Sequence, residues 1–329
     1  MVARRDDLIG GYLQALELEL ESLDEPPELD TLFLGGGTPT HLPAEPLSQF
    51  MELIRKWFRL ADGYEFTVEA NPSGLDSDKI KMLADSGVNR VSLGVQSFDS
   101  DVLRVLERDH RRCGIVNTVE RLRSRIDNIS LDLIFGVPGQ TLESWQQTLS
   151  EAVALEPTHI SSYGLTYEKG TAFWGRVIKG ELVRVPEATE YEMYATAMDT
   201  LAAAGYQQYE ISNFARPGFS CRHNEVYWKG LSYLAFGPGA ARYVDGVRES
   251  NHRSVTTWLK RVMAGESPVA ERERLSDEER AREALVIGLR RCAGIEKAAF
   301  RKLTGFDMDE LAGSTIERHC HAGLLEDDG

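Results

Sequence analysis

Three consecutive glycines, Gly35, Gly36 and Gly37, end an apolar run and lead into a proline-punctuated turn, "LFLGGGTPTHLP" (residues 32–43). Glycine at a strand end lets the backbone approach a ligand that a side chain would hold off. The stretch is neither common phosphate-binding loop: Thr40 stands where GxGxxG needs its last glycine, and no Gly-Lys-Ser/Thr follows. Alone it reads as a plain turn. Residues further on change that reading. Glu69 in "VEANP" can accept from a ribose hydroxyl or an ammonium, and Gln96 in "GVQSF" offers an amide. Arg108 in "LERDH" is a carboxylate clamp, and Asp132 stands near the end of the next apolar run. Each is an ordinary polar residue. Together with Gly36, Gly37 and Thr38 they make a rim suited to a small zwitterionic nucleoside.

A second constellation lies in "ISNFARPGFSCRHNEVYWKG", where His223, Asn224, Tyr227 and Trp228 form HNxxYW. Histidine is a common metal ligand, and aromatic rings can pack on a flat macrocycle. A capped turn with two aromatics in a core accounts for the same residues. Cys221, two residues before His223, reads as a packed thiol.

These residues must be positioned by the elements around them. Five segments read as buried strands: "TLFLGGG", "YEFTVEANP", "NRVSLGVQSF", "NISLDLIFGVPG" and "HISSYGLTYE". Helical patterns separate them, with N-terminal signals at Asp76 and Thr141 and a C-terminal glycine at Gly87. Alternation of this kind implies parallel strands joined by right-handed crossovers. Polar residues just after successive strands favour a (β/α) barrel over a doubly wound sheet, whose site would gather at one turn. Five strands are too few to close a barrel, so a partial (β/α)6 barrel lacking its first strand is expected. Beyond it, "EATEYEMYATAMDTLAAAGY" reads as a helix stopped by Gly205 and "QQYEISNFA" as one more strand. Three helices and the start of a strand at "DDG" end the chain, in the order of a winged-helix module. The expected division is a barrel core at 1–170, an extension carrying HNxxYW at 171–270, and a helical, winged-helix-like module at 271–329.

Composition sets the outer bounds. The 329 residues are 42% hydrophobic and 27% charged, ordinary for a globular protein, and the net charge is -15. That acidity argues against non-specific binding to nucleic acid or anionic membranes. No apolar run approaches a membrane span, and the N-terminus has no signal-peptide pattern, so a cytoplasmic protein is expected. The cysteines, Cys113, Cys221, Cys292 and Cys320, form no CxxC-type clip and read as reduced thiols.

The motifs "LGGGTPT", "EANP", "GVQSF", "LDLIFGVPGQT" and "HISSYGLTYEKGT" resemble, in order and spacing, the radical S-adenosylmethionine (SAM) proteins related to oxygen-independent coproporphyrinogen III oxidase. The resemblance implies that Gly36, Gly37 and Thr38 approach the methionine amino group of SAM. It also implies that Glu69, Gln96, Arg108 and Asp132 line the same cofactor. Such proteins hold a [4Fe–4S] cluster through CxxxCxxC, and reduction there cleaves SAM to a 5′-deoxyadenosyl radical. This chain has no CxxxCxxC. The expectation is a chain cut at both ends, without the first strand and the three thiolates, and so without cluster or radical chemistry of its own.

HNxxYW is similar to the motif of HemW-type haem chaperones, which bind haem and pass it to haem-requiring proteins, and it makes His223 the haem-associated residue. In "GPGAARY", Ala241 stands where that family usually has histidine. Three readings stay open: a haem chaperone with a SAM site, a decarboxylating porphyrinogen oxidase, and a cluster-free binding protein. Haem and haem-accepting proteins are the partners expected on the first, with a homodimer as an expected assembly.

Overall fold

The computed structural model describes residues 6–328, which divide into one compact unit ending at Cys221 and a second beginning at Arg222. The sequence reading drew its boundaries at 170 and 270.

The first unit opens with helix α1 (Ile9–Leu20). Strand and helix then alternate: β1 (Glu28–Leu34), α2 (Ala44–Trp57), β2 (Arg59–Ala70), α3 (Ser77–Asp85) and β3 (Arg90–Gln96). Next come α4 (Ser100–Val105), α5 (Arg112–Arg123), β4 (Asn128–Phe135), α6 (Leu142–Ala154) and β5 (His159–Gly164). Asp76 caps α3 by accepting from the Lys79 N–H, and Thr141 caps α6 by accepting from the Ser144 N–H. Strands β1 to β5 are parallel and adjacent in sequence order, a curled half-barrel.

After β5 come the short helix α7 (Ala172–Ile178) and the long helix α8 (Glu187–Ala203). "QQYEISNFA" corrects the expectation of a single strand. It folds into two short strands, β6 (Gln207–Glu210) and β7 (Asn213–Ala215), paired antiparallel, with β7 laid antiparallel on β5. The reversal is fixed by Glu210, whose carboxylate accepts from the Ser212 N–H and the Asn213 amide, turning the chain within two residues.

Strict alternation along β2 to β5 decides what the half-barrel encloses. Val68, Val91, Leu93, Ile129, Leu131 and Ile160 are buried on the face that carries the helices. The other parity holds Glu65, Thr67 and Glu69 on β2, Arg90 and Ser92 on β3, Ser130 and Asp132 on β4, and His159 and Ser161 on β5. Register lines them up: Glu69 pairs with Ser92, Ser92 with Ser130, and Asp132 with Ser161. The concave face is therefore polar from end to end.

The second unit begins with α9 (Arg222–Trp228), followed by a three-stranded antiparallel sheet of β8 (Ala241–Val244), β9 (Val247–Asn251) and β10 (Val269–Arg274), with α10 (Val255–Met263) between the last two strands. Helices α11 (Asp277–Gly288), α12 (Lys297–Thr304) and α13 (Met308–His321) follow. Ala281, Phe300 and Met308 form their core, with Leu285, Ile295 and Phe306 packed against it. The strand expected after α13 does not form, because among the described residues nothing pairs with that segment. None of the described helices is long and apolar enough to cross a membrane.

Candidate functional site

The glycine run leaves β1 at the carboxyl end of the sheet. Gly36 adopts φ +74°, open to glycine and strained for other residues, while space around it is free. Gly35 is locked for the opposite reason. A Cβ there would lie 2.2 Å from the Phe33 ring and 2.8 Å from the Glu69 carboxyl carbon. Within the chain itself the steric demand falls on Gly35, against Glu69. The Glu69 carboxylate in turn accepts from the backbone N–H groups of Gly36 and Gly37.

Glu69 is half-buried, and its pKa is pushed up to about 7, first by burial and then by the charge of Asp132. Asp132 is raised as well, by burial, against the pull of hydrogen bonds from Ser92 and Ser161 and the charge of Arg90. The Ser92 hydroxyl donates to both Asp132 oxygens at 2.9 Å. These are the two acids on the concave face that keep some exposure; Glu65, Ser92, Ser130, His159 and Ser161 are buried.

Gln96 ends β3 in the left-handed region, φ 64°, after a register shift from Leu93. A buried non-glycine residue so placed is a local strain that re-aims its side chain at the strand end. Its amide and the Asn71 side chain flank Gly94: a Cβ at that position would lie 2.9 Å from Gln96 Nε2 and 3.2 Å from Asn71 Oδ1. The Asn71 amide donates to the Thr38 hydroxyl at 3.2 Å. Backbone and side chains thus join the glycine run, Thr38, Asn71, Glu69 and Asp132 at one end of the half-barrel, with Gln96 beside Asn71. Arg108 stands apart. It is exposed on the loop after α4 near His110, and among the described residues its side chain makes no hydrogen bond or ion pair.

Beneath this rim lies a network that the sequence reading missed. His159 bonds Ser130 Oγ at 2.7 Å and Tyr209 Oη at 2.8 Å, and burial holds it well below the usual histidine pKa. The Tyr209 hydroxyl accepts from the Cys221 N–H at 3.1 Å, and the buried Cys221 thiol donates to Glu65 at 3.5 Å. Arg90, almost wholly buried, lies in the field of Cys221, Glu65, Tyr209 and Asp132. Its Nε and the Thr67 hydroxyl are buried and have no hydrogen-bond partner among the described residues. Tyr163 closes it on the β5 side, its ring exposed and its hydroxyl bonded to Ser161 and Asn213. The signal was available: every second residue of "RVSLGVQ" and "NISLDL" is polar or glycine.

The HNxxYW residues occupy α9, so the capped turn weighed for them is corrected to a helix, and none of its residues is buried. At helical spacing, His223 and Tyr227 share a face. His223 Nε2 lies 2.9 Å from the Tyr227 hydroxyl, with the rings edge to face at 5.3 Å. Tyr227 in turn meets Tyr233 edge to face at 4.7 Å, and Tyr233 lies beside Tyr243 at 6.3 Å. Ala241, where a histidine was expected, is an exposed residue of β8.

Comparison with known proteins places the chain. Residues 12–152 match the Radical SAM superfamily, and residues 275–329 match the HemN C-terminal domain. The Heme chaperone HemW of Bacillus subtilis is 38% identical over 95% of this chain and 84% of its own length. That of Lactococcus lactis is 37% identical over 97% of this chain and 84% of its own. The chain belongs to the HemW family. Among solved structures, coproporphyrinogen III oxidase (HemN) from Escherichia coli, described as a radical SAM enzyme, superposes with a TM-score of 0.86. It covers 100% of this chain and 80% of its own, at 22% identity, a likeness of fold.

The residues present fit SAM and do not fit the cluster. Gly35 cannot be enlarged without striking Glu69, and two glycine N–H groups hold that acid at the rim of a polar cleft. A [4Fe–4S] cluster needs three thiolates from one loop, whereas Cys113 and Cys292 are exposed, Cys221 is buried and Cys320 lies between. Among the described residues, no group of three or more His, Cys, Asp or Glu could hold a metal ion.

Proposed function

We propose that this HemW-family chain binds haem through the α9 motif and passes it to haem-requiring acceptor proteins, with SAM held at the carboxyl end of the half-barrel. The observation that supports it best is the pairing of His223 with Tyr227 on a helix none of whose residues is fully buried. A structural histidine is normally packed away; this one stays near the surface among tyrosine rings. A neutral imidazole can ligate haem iron, and the rings of Tyr227 and Trp228 offer faces to the porphyrin.

On the concave face, acids outnumber bases: Glu65, Glu69, Asp132 and Glu210 lie in one polar cluster with Arg90. Such a field favours a cationic ligand. SAM, when bound, would bring an ammonium and a sulfonium into this acidic field. In this reading Glu69 gives up its proton and receives the methionine ammonium, Thr38 and Gln96 hydrogen-bond the ligand, and Asp132 takes the ribose. Arg108 reaches over the rim to the ligand's carboxylate. The four cysteines, none of them in a disulfide among the described residues, accord with a cytoplasmic protein.

The test is transfer. Chain loaded with haem and mixed with a haem-free acceptor should lose its haem to that acceptor, and should release no carbon dioxide from coproporphyrinogen III. Decarboxylation without transfer would overturn the reading in favour of the oxidase.

A further inference from the structure

Directly after β5, at the same end of the half-barrel as the glycine run, residues 165–185 form an aromatic strap over which arginines are laid. The Arg184 guanidinium lies 4.4 Å from the Tyr167 ring centroid and 5.7 Å from that of Trp174. Arg176 lies 5.6 Å from the Phe173 ring, which neighbours Tyr167 at 6.3 Å. All three rings are partly exposed, and Ile178 and Val183 are wholly in solvent's reach. Arg184 has no carboxylate partner among the described residues. Arg176 has only long pairs, to Glu107 at 3.5 Å and Glu181 at 3.9 Å, which an incoming carboxylate can replace. The Tyr167 hydroxyl is shielded from solvent without a hydrogen-bond partner among the described residues. The charge of the strap runs against that of the chain. Lys169, Arg176, Lys179 and Arg184 against Glu168 and Glu181 give it +2 in a protein of -15.

Planar rings with guanidinium groups laid on their faces and free to swing aside are suited to a ligand that is flat, apolar and doubly anionic at one side. We propose that the strap binds the ring face and the two propionate carboxylates of a porphyrin, with Arg184 and Arg176 as the carboxylate contacts and Tyr167, Phe173 and Trp174 as the stacking surface. The proposal rests on the reading of haem as cargo, and gives the first unit a second porphyrin site, separate from the α9 motif that ligates haem iron. In it, the arginines swing from the aromatic faces to the propionates, and the rings they leave are covered by the porphyrin.

Metal-free protoporphyrin IX is the probe, because it presents ring and carboxylates without iron. Titrated into the full chain and followed by its Soret band, it should bind. The double variant Arg176→Gln/Arg184→Gln should bind at least tenfold more weakly with an unchanged melting curve. The dimethyl ester, which has no carboxylates, should bind at least tenfold more weakly to the unaltered chain and be indifferent to the double variant. Equal binding of acid and ester, an unaffected double variant, or no protoporphyrin binding would each overturn the proposal. Failure of the chaperone reading shows separately: haem would not pass to an acceptor even where protoporphyrin binds the strap.

Discussion

The polar face of the half-barrel and the helix α9 both carry histidine, tyrosine and charged groups, and they are built in opposite ways. In the barrel, His159, Tyr209, Ser130 and Asp132 are linked in a hydrogen-bond chain whose lower part is buried among helices and strands. On α9, His223 and Tyr227 bond to each other on a helix with no buried residue. The first arrangement fixes positions before a ligand arrives; the second leaves a donor pair that a bulky ligand can reach and part. A small zwitterion suits the one and a macrocycle to be handed on suits the other. The contrast yields graded expectations, since changes in the barrel should move stability strongly and changes on α9 hardly at all.

The largest effect is expected from Arg90. Replacing it with leucine leaves Glu65 and Asp132 without their buried cation and should cost about 3 kcal/mol, read by urea denaturation. Glu69→Gln should act in the other direction. Folding raises the Glu69 pKa from its ordinary 4.5 to about 7, so the folded chain holds that proton more tightly. Its contribution to stability is complete below pH 4.5 and is lost as pH rises through 7. Above that the ionised carboxylate is a burden, and its removal should stabilise the ligand-free chain at pH 8 by up to about 3 kcal/mol. At pH 4 the two proteins should melt alike. The same variant should lose SAM binding, and in the unaltered chain SAM affinity should rise as pH passes 7, because only ionised Glu69 holds an ammonium. A flat pH profile in calorimetric titration would break that part of the account. Gly35→Ala comes next: its Cβ must displace Phe33 or Glu69, at a cost of about 1–3 kcal/mol in a thermal melt. His223→Ala should be smallest, within about 0.5 kcal/mol.

The fold was legible where residue patterns repeat. Five apolar runs, each closed by glycine or polar residues, marked β1 to β5, and Asp76, Thr141 and Gly205 marked helix ends that the structure keeps. The hairpin of β6 and β7 was not legible because "EIS" has no glycine or proline; a buried side chain, Glu210, makes the turn by local hydrogen bonds. In the site, the rim positions stood out because they lie at or near strand ends: the glycine run follows β1, Glu69 is next to last in β2 and Gln96 ends β3. The network below did not, since Arg90 and His159 open their strands and Ser130 lies within one, where polar residues usually face solvent and here face the inside of a half-barrel. Gly35 shows the same limit: its neighbours 33 and 69 are brought together only by the pairing of β1 with β2.

One titration bears most directly on the division of labour between the two regions. Haem added to the unaltered chain and to His223→Ala, with a melting curve for each, should give a Soret band in the first that is shifted or much weakened in the second, while both melt at the same temperature. An identical spectrum and affinity in a His223→Ala protein that melts normally would contradict the account and return His223 to a structural role on α9.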